Sequence, residues 1–163
     1  MIDRRAMLGL GGSAAAALLL FGRSGSAGAS LRFTVNHSPD EWRHILGAQR
    51  YAILREAATE RAFTSPLLNE HSRGVFICAG CGLPLFSSAT KFESGTGWPS
   101  FWKALPHAVV THADHSLLME RTEVLCARCG GHLGHVFDDG PKPTGLRYCM
   151  NGLALQFRAG GIA

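Results

Sequence analysis

The sequence predicts a mainly β domain, antiparallel in its pairing, with a helical section at its N-terminal side. Three observations carry this reading. Residues 38–58 hold apolar side chains at helical spacing, whereas from Arg73 onward short apolar runs alternate with turn residues. Glycine is abundant, with 20 among 163 residues, and supplies the turns that many short strands require. Two CxxC pairs stand far apart in the chain, as the tips of two hairpins do when a sheet brings them together.

The helical section opens at Ser38-Pro-Asp-Glu41. Ser38 suits the N-cap, Pro39 the first helical position, and Glu41 the third, where its carboxylate can return to the cap. Trp42, Ile45 and Leu46 follow with helical spacing, and Gly47 can end that helix. A second helical segment, Ala48 to Ala58, sets Tyr51, Leu54 and Ala58 on one face. The expected strands are Val75–Ile77, Leu83–Phe86, Ala108–Thr111, Ser116–Glu120, Thr122–Leu125, His135–Phe137, Leu146–Met150 and Leu153–Arg158. In the last, Leu153, Leu155 and Phe157 alternate with Ala154, Gln156 and Arg158. Ala113-Asp-His115 reads as a hairpin turn.

The first 29 residues read as an export signal, followed by a single domain over 30–163. Arg4-Arg5 precedes a weakly apolar stretch from Ala6 to Phe21, and Ala27-Gly-Ala29 offers small residues before a cleavage point at Ser30. The apolar stretch, broken by Gly9, Gly11 and Gly12, is short for a membrane span of about 20 residues. The paired arginines resemble a twin-arginine signal. Such a signal implies a periplasmic protein that folds before export, with no stable membrane association after cleavage. The net charge of +4 falls when the signal is set aside, leaving 13 basic against 11 acidic residues. That excess is too small to indicate a nucleic-acid partner.

Four of the five cysteines form the pairs Cys78-Ala-Gly-Cys81 and Cys126-Ala-Arg-Cys129, each followed by a glycine. Four thiolates in this pattern suit one structural zinc ion, with no ligand position left open for chemistry. A redox-active CxxC normally opens a helix in a βαβ unit, and neither pair does so. The set Cys126, Cys129, His132, His135 spaces its histidines too closely and leaves Cys78 and Cys81 unexplained.

Cys149 stands apart in Leu-Arg-Tyr-Cys-Met-Asn. In an extended segment Arg147, Cys149 and Asn151 share one face, and Tyr148 and Met150 the other. Pattern alone fits either a buried small hydrophobe or a thiol activated by a neighbouring cation. Two further segments favour the thiol. Phe92 to Trp102 reads as a shaped loop rather than a strand, with Trp98, Phe101 and Trp102 on a backbone bent by Gly95, Gly97 and Pro99. Its aromatics can make an apolar platform, although Phe101 and Trp102 fit a core role better. In Gly131-His-Leu-Gly-His-Val-Phe137, Gly134 can turn the chain so that His132 and His135 converge as proton donors.

Taken in order, these segments resemble the methionine-R-sulfoxide reductases of the B type. The matching pieces are Cys78-Ala-Gly-Cys81, Ser94-Gly-Thr-Gly-Trp-Pro-Ser-Phe101, Cys126 through Phe137, and Leu146-Arg-Tyr-Cys-Met-Asn151, and the resemblance runs from Ser38 to Phe157. It implies two antiparallel sheets with short N-terminal helices, braced by the Cys78, Cys81, Cys126, Cys129 zinc site. It implies that Cys149 attacks the sulfoxide sulfur, ending as a sulfenic acid, and that Trp98 lines the pocket for the substrate methyl group. His132 and His135 would hold the sulfoxide oxygen and bring its proton, Asn151 would position substrate or water, and Arg147 would support the thiolate. The substrate would be peptide-bound methionine R-sulfoxide in oxidised proteins or peptides.

Many such enzymes carry a resolving cysteine in the Ser-Gly-x-Gly-Trp loop, where this chain has Thr96. The expectation is therefore recycling by an external thioredoxin-like or small-thiol reductant. A zinc-ribbon binding module without catalysis is the competing reading. It accounts for the two CxxC pairs but gives Cys149, His132 and His135 no task.

Overall fold

The structure is a computed structural model that describes residues 32–115 and 120–160. The expected export signal lies outside the described residues, as does all but Glu120 of the strand expected over Ser116–Glu120.

Helix α1, Pro39–Glu56, begins as its capping residues dictate. The Glu41 backbone N–H donates to Ser38 Oγ at 3.3 Å, and the Ser38 N–H returns to Glu41 Oε2 at 2.7 Å. Gly47, at φ 68° and ψ 171°, breaks the helix into the two segments expected. Trp42, Leu46, Ile53 and Leu54 are buried, whereas Ile45, expected on the apolar face, is 50% exposed. The second segment stops at Glu56, two residues early, because Ala57 adopts the left-handed conformation.

Nine strands follow among the described residues, in two antiparallel sheets. The first sheet has three strands in the order β2 (Pro84–Ser87), β1 (Gly74–Cys78), β9 (Leu155–Ala159). The second has six: β3 (Lys91–Phe92), β4 (Ser100–Phe101), β8 (Arg147–Met150), β7 (His132–Phe137), β6 (Arg121–Cys126) and β5 (Val109–Asp114). Aromatic rings join the sheets. Phe86 stacks on Phe101 at 4.4 Å between centroids, Phe76 meets Phe101 edge-on at 4.9 Å, and Phe86 lies 5.6 Å from Tyr148. Phe76, Phe86, Phe101, Leu133 and Met150 are sealed from solvent, so the apolar faces of the sheets form one core.

Two expectations are corrected. The segment Phe92–Trp102 is not wholly loop, because Ser100–Phe101 forms β4, wedged between β3 and β8. Alternation explains it: Phe101 enters the core while Ser100 takes the other face beside Cys149. The turn placed at Ala113–His115 begins later. Ala113 and Asp114 still pair with Thr122 and Arg121, and an Arg121–Asp114 ion pair at 2.7 Å holds the end of that ladder.

The register of β7 against β8 is fixed by one close approach. A Cβ at Gly134 would collide with the backbone carbonyl oxygen of Cys149. Gly134→Ala is therefore expected to cost about 3 kcal/mol by overpacking, read as a lower urea midpoint. An unchanged midpoint would contradict this register.

Candidate active site and metal centre

Ser100, Cys149, His135, Glu123 and His112 are successive cross-strand partners over β4, β8, β7, β6 and β5. Directly opposed residues of antiparallel strands present their side chains on the same face. One row across the sheet thus holds a hydroxyl, a thiol, an imidazole, a carboxylate and a second imidazole. His132 would point the opposite way from His135 in a regular strand, being three residues removed. A bulge at Leu133 resets the alternation: Val124 pairs with Gly134, and Leu125 already with His132. Leu133 enters the core, and the two rings come to 5.5 Å between centroids.

Each histidine is oriented by an acid from β5 or β6. His135 Nε2 lies 2.9 Å from Asp114 Oδ2, and His132 Nδ1 lies 2.5 Å from Glu123 Oε1. The other Glu123 oxygen meets His112 Nε2 at 2.7 Å. Burial pushes His132 below the usual imidazole range, and the Glu123 hydrogen bond only partly opposes it. The neutral ring then carries its proton on Nδ1, toward the carboxylate. Its Nε2 is buried with no hydrogen-bond partner among the described residues, a lone pair ready to receive one.

Cys149 opens into a cavity of about 210 Å³ lined by Trp98, Cys149, His135, Asn151, Phe137 and Arg121, together with Thr59 and Gly134. A neighbouring cavity of about 380 Å³ shares Thr59, Arg121 and His135, and adds His132, Glu123 and Asp114. The first is below the volume of drug-sized ligand sites and suits a single amino-acid side chain. A larger cavity of about 620 Å³, around Arg50, Ser65 and Leu153, contains no thiol or imidazole.

The Cys149 thiol is pushed above its ordinary range by burial. The Thr96 hydroxyl and the Arg147 guanidinium both pull it down without overcoming that cost, and Asp139 adds slightly to it. Arg147 does lie beside Cys149 as expected, but its fork is held by Asp139 through two 2.8 Å bonds, and it rests 4.5 Å above the Phe137 ring. Asn151 also lines the cavity, yet its amide is committed to the backbone. Its Oδ1 accepts from the Glu60 N–H at 3.0 Å, and its Nδ2 donates to the Leu133 carbonyl at 3.3 Å. Of the three loop aromatics, only Trp98 faces the cavity.

Glu60 was not singled out by sequence and organises much of this wall. Its carboxylate, 7% exposed as a residue, accepts from the backbone N–H groups of Gly152 (2.5 Å) and Leu153 (3.0 Å). Its own carbonyl accepts from Trp98 Nε1 at 3.1 Å. One residue so ties the indole, Asn151 and the turn after β8 together. Partners 91 to 93 positions away leave no local signal in the sequence.

The SelR domain matches residues 46–159. The chain is 52% identical over 129 residues to the peptide methionine sulfoxide reductase MsrB of Leptospira interrogans, covering 78% of this chain and 98% of that protein. It is 57% identical to the protein of the same name from Thiobacillus denitrificans, over 72% and 89% of the two chains. The Methanosarcina mazei MsrB shares 50% identity over 76% and 89%. The chain belongs to the SelR family. Among solved structures, the Mis18 "Yippee-like" domain aligns at a TM-score of 0.46 and 20% identity, over 56% of this chain and all of that domain.

The second centre of this SelR domain is the cysteine cluster. Cys78 ends β1 and Cys126 ends β6, so the two knuckles come from different sheets. The sulfurs of Cys78, Cys81, Cys126 and Cys129 all lie within 4.8 Å of one another and are not joined as disulfides. Cys78 and Cys129 sulfurs are 3.7 Å apart, and those of Cys81 and Cys126 are 3.5 Å apart. A tetrahedral ion with metal–sulfur bonds of about 2.3 Å separates its sulfurs by about 3.8 Å, so the donor set fits a metal ion. Gly82 and Gly130, at φ 71° and 67°, make the tight turns expected after each pair. Hydrogen bonds from the neighbouring cluster thiols, and after them the backbone N–H groups of Leu83 and Cys129, favour the thiolate forms of Cys81 and Cys126. Helix α1 covers the cluster. Trp42 packs against Gly80, and Arg55 donates to the Cys129 carbonyl at 2.9 Å.

Because a raised thiol is mostly protonated at neutral pH, Cys149 is expected to react with iodoacetamide more slowly at pH 7 than a free cysteine. Its rate should rise only above the ordinary thiol range. Arg147→Met removes a downward pull and moves the midpoint higher still. A midpoint below that range, located by peptide mass spectrometry, would contradict the dominance of burial.

Proposed function

We propose that the chain reduces peptide-bound methionine R-sulfoxide to methionine, with Cys149 as the nucleophile. The single observation that carries the reading is the pairing of Cys149 with His135 at a small cavity walled by Trp98. Family membership and the names of the relatives agree with it. The substrate methyl group would rest on the Trp98 indole, and the sulfoxide oxygen would point toward the histidines.

In the reaction the Cys149 sulfur bonds the substrate sulfur as the sulfur–oxygen bond breaks and the protonated oxygen leaves as water. A water oxygen then bonds the Cys149 sulfur, the sulfur–sulfur bond breaks, and methionine is released. The thiol is oxidised by two electrons, the sulfoxide is reduced by two, and Cys149 is left as a sulfenic acid. Departure of the sulfoxide oxygen requires a proton at or near it. His135, held through Nε2 by Asp114, leaves Nδ1 to serve the oxygen. His132 offers the buried Nε2 lone pair, which can accept a hydrogen bond from the protonated oxygen. Asn151 shapes the wall, its amide tied to the Glu60 N–H and the Leu133 carbonyl.

Zinc is the metal proposed for Cys78, Cys81, Cys126 and Cys129. With four protein ligands it would supply no chemistry to the sulfoxide, only a link between the sheets. The sequence contains no sixth cysteine, so a thioredoxin-like or small-thiol reductant would return Cys149 to the thiol. Delivery to the periplasm through residues 1–29 completes the proposal.

Cys149→Ser is expected to abolish thiol-dependent reduction of R-sulfoxide peptides while leaving zinc content and melting temperature intact, and wild-type enzyme should leave S-sulfoxide peptides untouched. Retained activity in the variant would rule out the nucleophile. Cys78→Ser is expected to lower both zinc content and melting temperature, and an unchanged melting temperature would remove the bracing role. A disulfide involving Cys149 after one turnover without added thiol would contradict external recycling.

A further inference from the structure

Three hydroxyls run from the Cys149 sulfur into the protein. Cys149 Sγ lies 3.8 Å from Thr96 Oγ1, Thr96 Oγ1 lies 2.8 Å from Ser94 Oγ, and Ser94 Oγ lies 2.7 Å from Ser100 Oγ. Ser100, only 1% exposed, donates to the Trp98 carbonyl oxygen at 3.1 Å. The positive φ angles of Gly95 and Gly97 bend the loop so that Ser94 and Thr96 can both join this chain.

Each hydroxyl has one hydrogen. The Trp98 carbonyl can only accept, so it sets the direction of the whole chain. Ser100 donates to Trp98 and must accept from Ser94. Ser94 must then accept from Thr96, and Thr96 has only lone pairs left for the sulfur. Cys149 fits this direction as a protonated S–H donor. A thiolate would face a lone pair unless the chain reversed, with Thr96 donating to sulfur, Ser94 to Thr96 and Ser100 to Ser94. Reversal rotates three hydroxyls and moves no heavy atom. It gives up the neutral bond to the Trp98 carbonyl and gains a charge-assisted one to sulfur.

We propose that Ser94 and Ser100, anchored at the Trp98 carbonyl, form a polarity lock that draws the Thr96 hydroxyl hydrogen away from Cys149 and holds the free enzyme's thiol protonated. This rests on Cys149 being the nucleophile. Thr96 is then a catalytic residue, touching the reacting sulfur, whose hydrogen must turn onto Cys149 when the thiolate forms. Ser94 and Ser100 are positioning residues that oppose that turn. Ser100 is too deeply buried for water to take its place in the chain, so the direction is set from inside the protein.

Other charges near Cys149 are the same in either direction of the chain. Arg147 stands on the same strand with Asp139 behind it, and His135 faces the thiol from β7. Arg121 lines the cavity from β6, and Asp114 beyond it binds both Arg121 and His135. Glu60 lies behind Asn151 with its carboxylate on Gly152 and Leu153.

The lock predicts shifts of opposite sign from adjacent hydroxyls. The rate of Cys149 alkylation by iodoacetamide is measured against pH in the full chain, with the site of modification confirmed by peptide mass spectrometry. Thr96→Val removes the donor and is expected to raise the midpoint by about half a pH unit or more. Ser94→Ala removes the competitor for the Thr96 hydrogen and is expected to lower the midpoint by about half a pH unit, roughly a three-fold faster reaction at pH 7. Ser100→Ala cuts the same chain one step further on and is expected to lower it as well, which covers the case of a poorly folded Ser94 variant. Thr96→Ser should restore the wild-type profile, and in a Thr96→Val background Ser94→Ala should have no effect. A rise or no change with both Ser94→Ala and Ser100→Ala would overturn the lock. This readout needs no turnover, so it fails or succeeds separately from the Cys149→Ser activity assay.

Discussion

The contact on which the site depends is the approach of Gly134 to the backbone carbonyl of Cys149. It sets β7 against β8 in the register that places His135 opposite the thiol. A slip of one residue would turn Cys149 into the core and bring Tyr148 and Met150 to the cavity face. The bulge at Leu133 then does for His132 what the register does for His135. Without it, one imidazole would point into the core and only the other would stand on the face that holds Cys149. The core supports the same arrangement from below, because Phe101 stacks on Phe86 while its neighbour Ser100 stands beside Cys149.

The electrostatic design is one of restraint. A cation and a hydroxyl beside Cys149 pull its thiol down, yet burial outweighs them and pushes it above the ordinary range. Arg147 is itself neutralised by Asp139, so less of its field reaches the sulfur than an unpaired guanidinium would deliver. The hydroxyl chain through Thr96, Ser94 and Ser100 gives that upward push a geometric origin beyond desolvation.

Much of this was legible in the sequence because the chemistry-bearing residues lie in short contiguous runs. The four-and-one division of the cysteines, the capping box at Ser38, the break at Gly47 and the shared face of Arg147, Cys149 and Asn151 all rest on local rules. What escaped depends on distance. Glu60 is recruited by residues near 151 through backbone N–H groups, and backbone carries no sequence signature. Asp114 and Glu123 orient the histidines only because of the β5–β6–β7 register, which no window of the chain reveals. Arg147 was correctly placed beside the thiol, but whether a cation or desolvation wins is a question of burial. Ser100–Phe101 read as loop because two residues between a proline and a tryptophan are too few to show alternation.

The proposed reaction depends on Cys149 leaving the turnover as a sulfenic acid. The most direct measurement is a single turnover with a methionine R-sulfoxide peptide, without added thiol, followed by dimedone trapping and peptide mass spectrometry. One dimedone adduct per released methionine, located on Cys149 and absent with the S-epimer, is the predicted result. Release of methionine with no adduct on Cys149, or with the adduct on one of the four clustered cysteines, would contradict it.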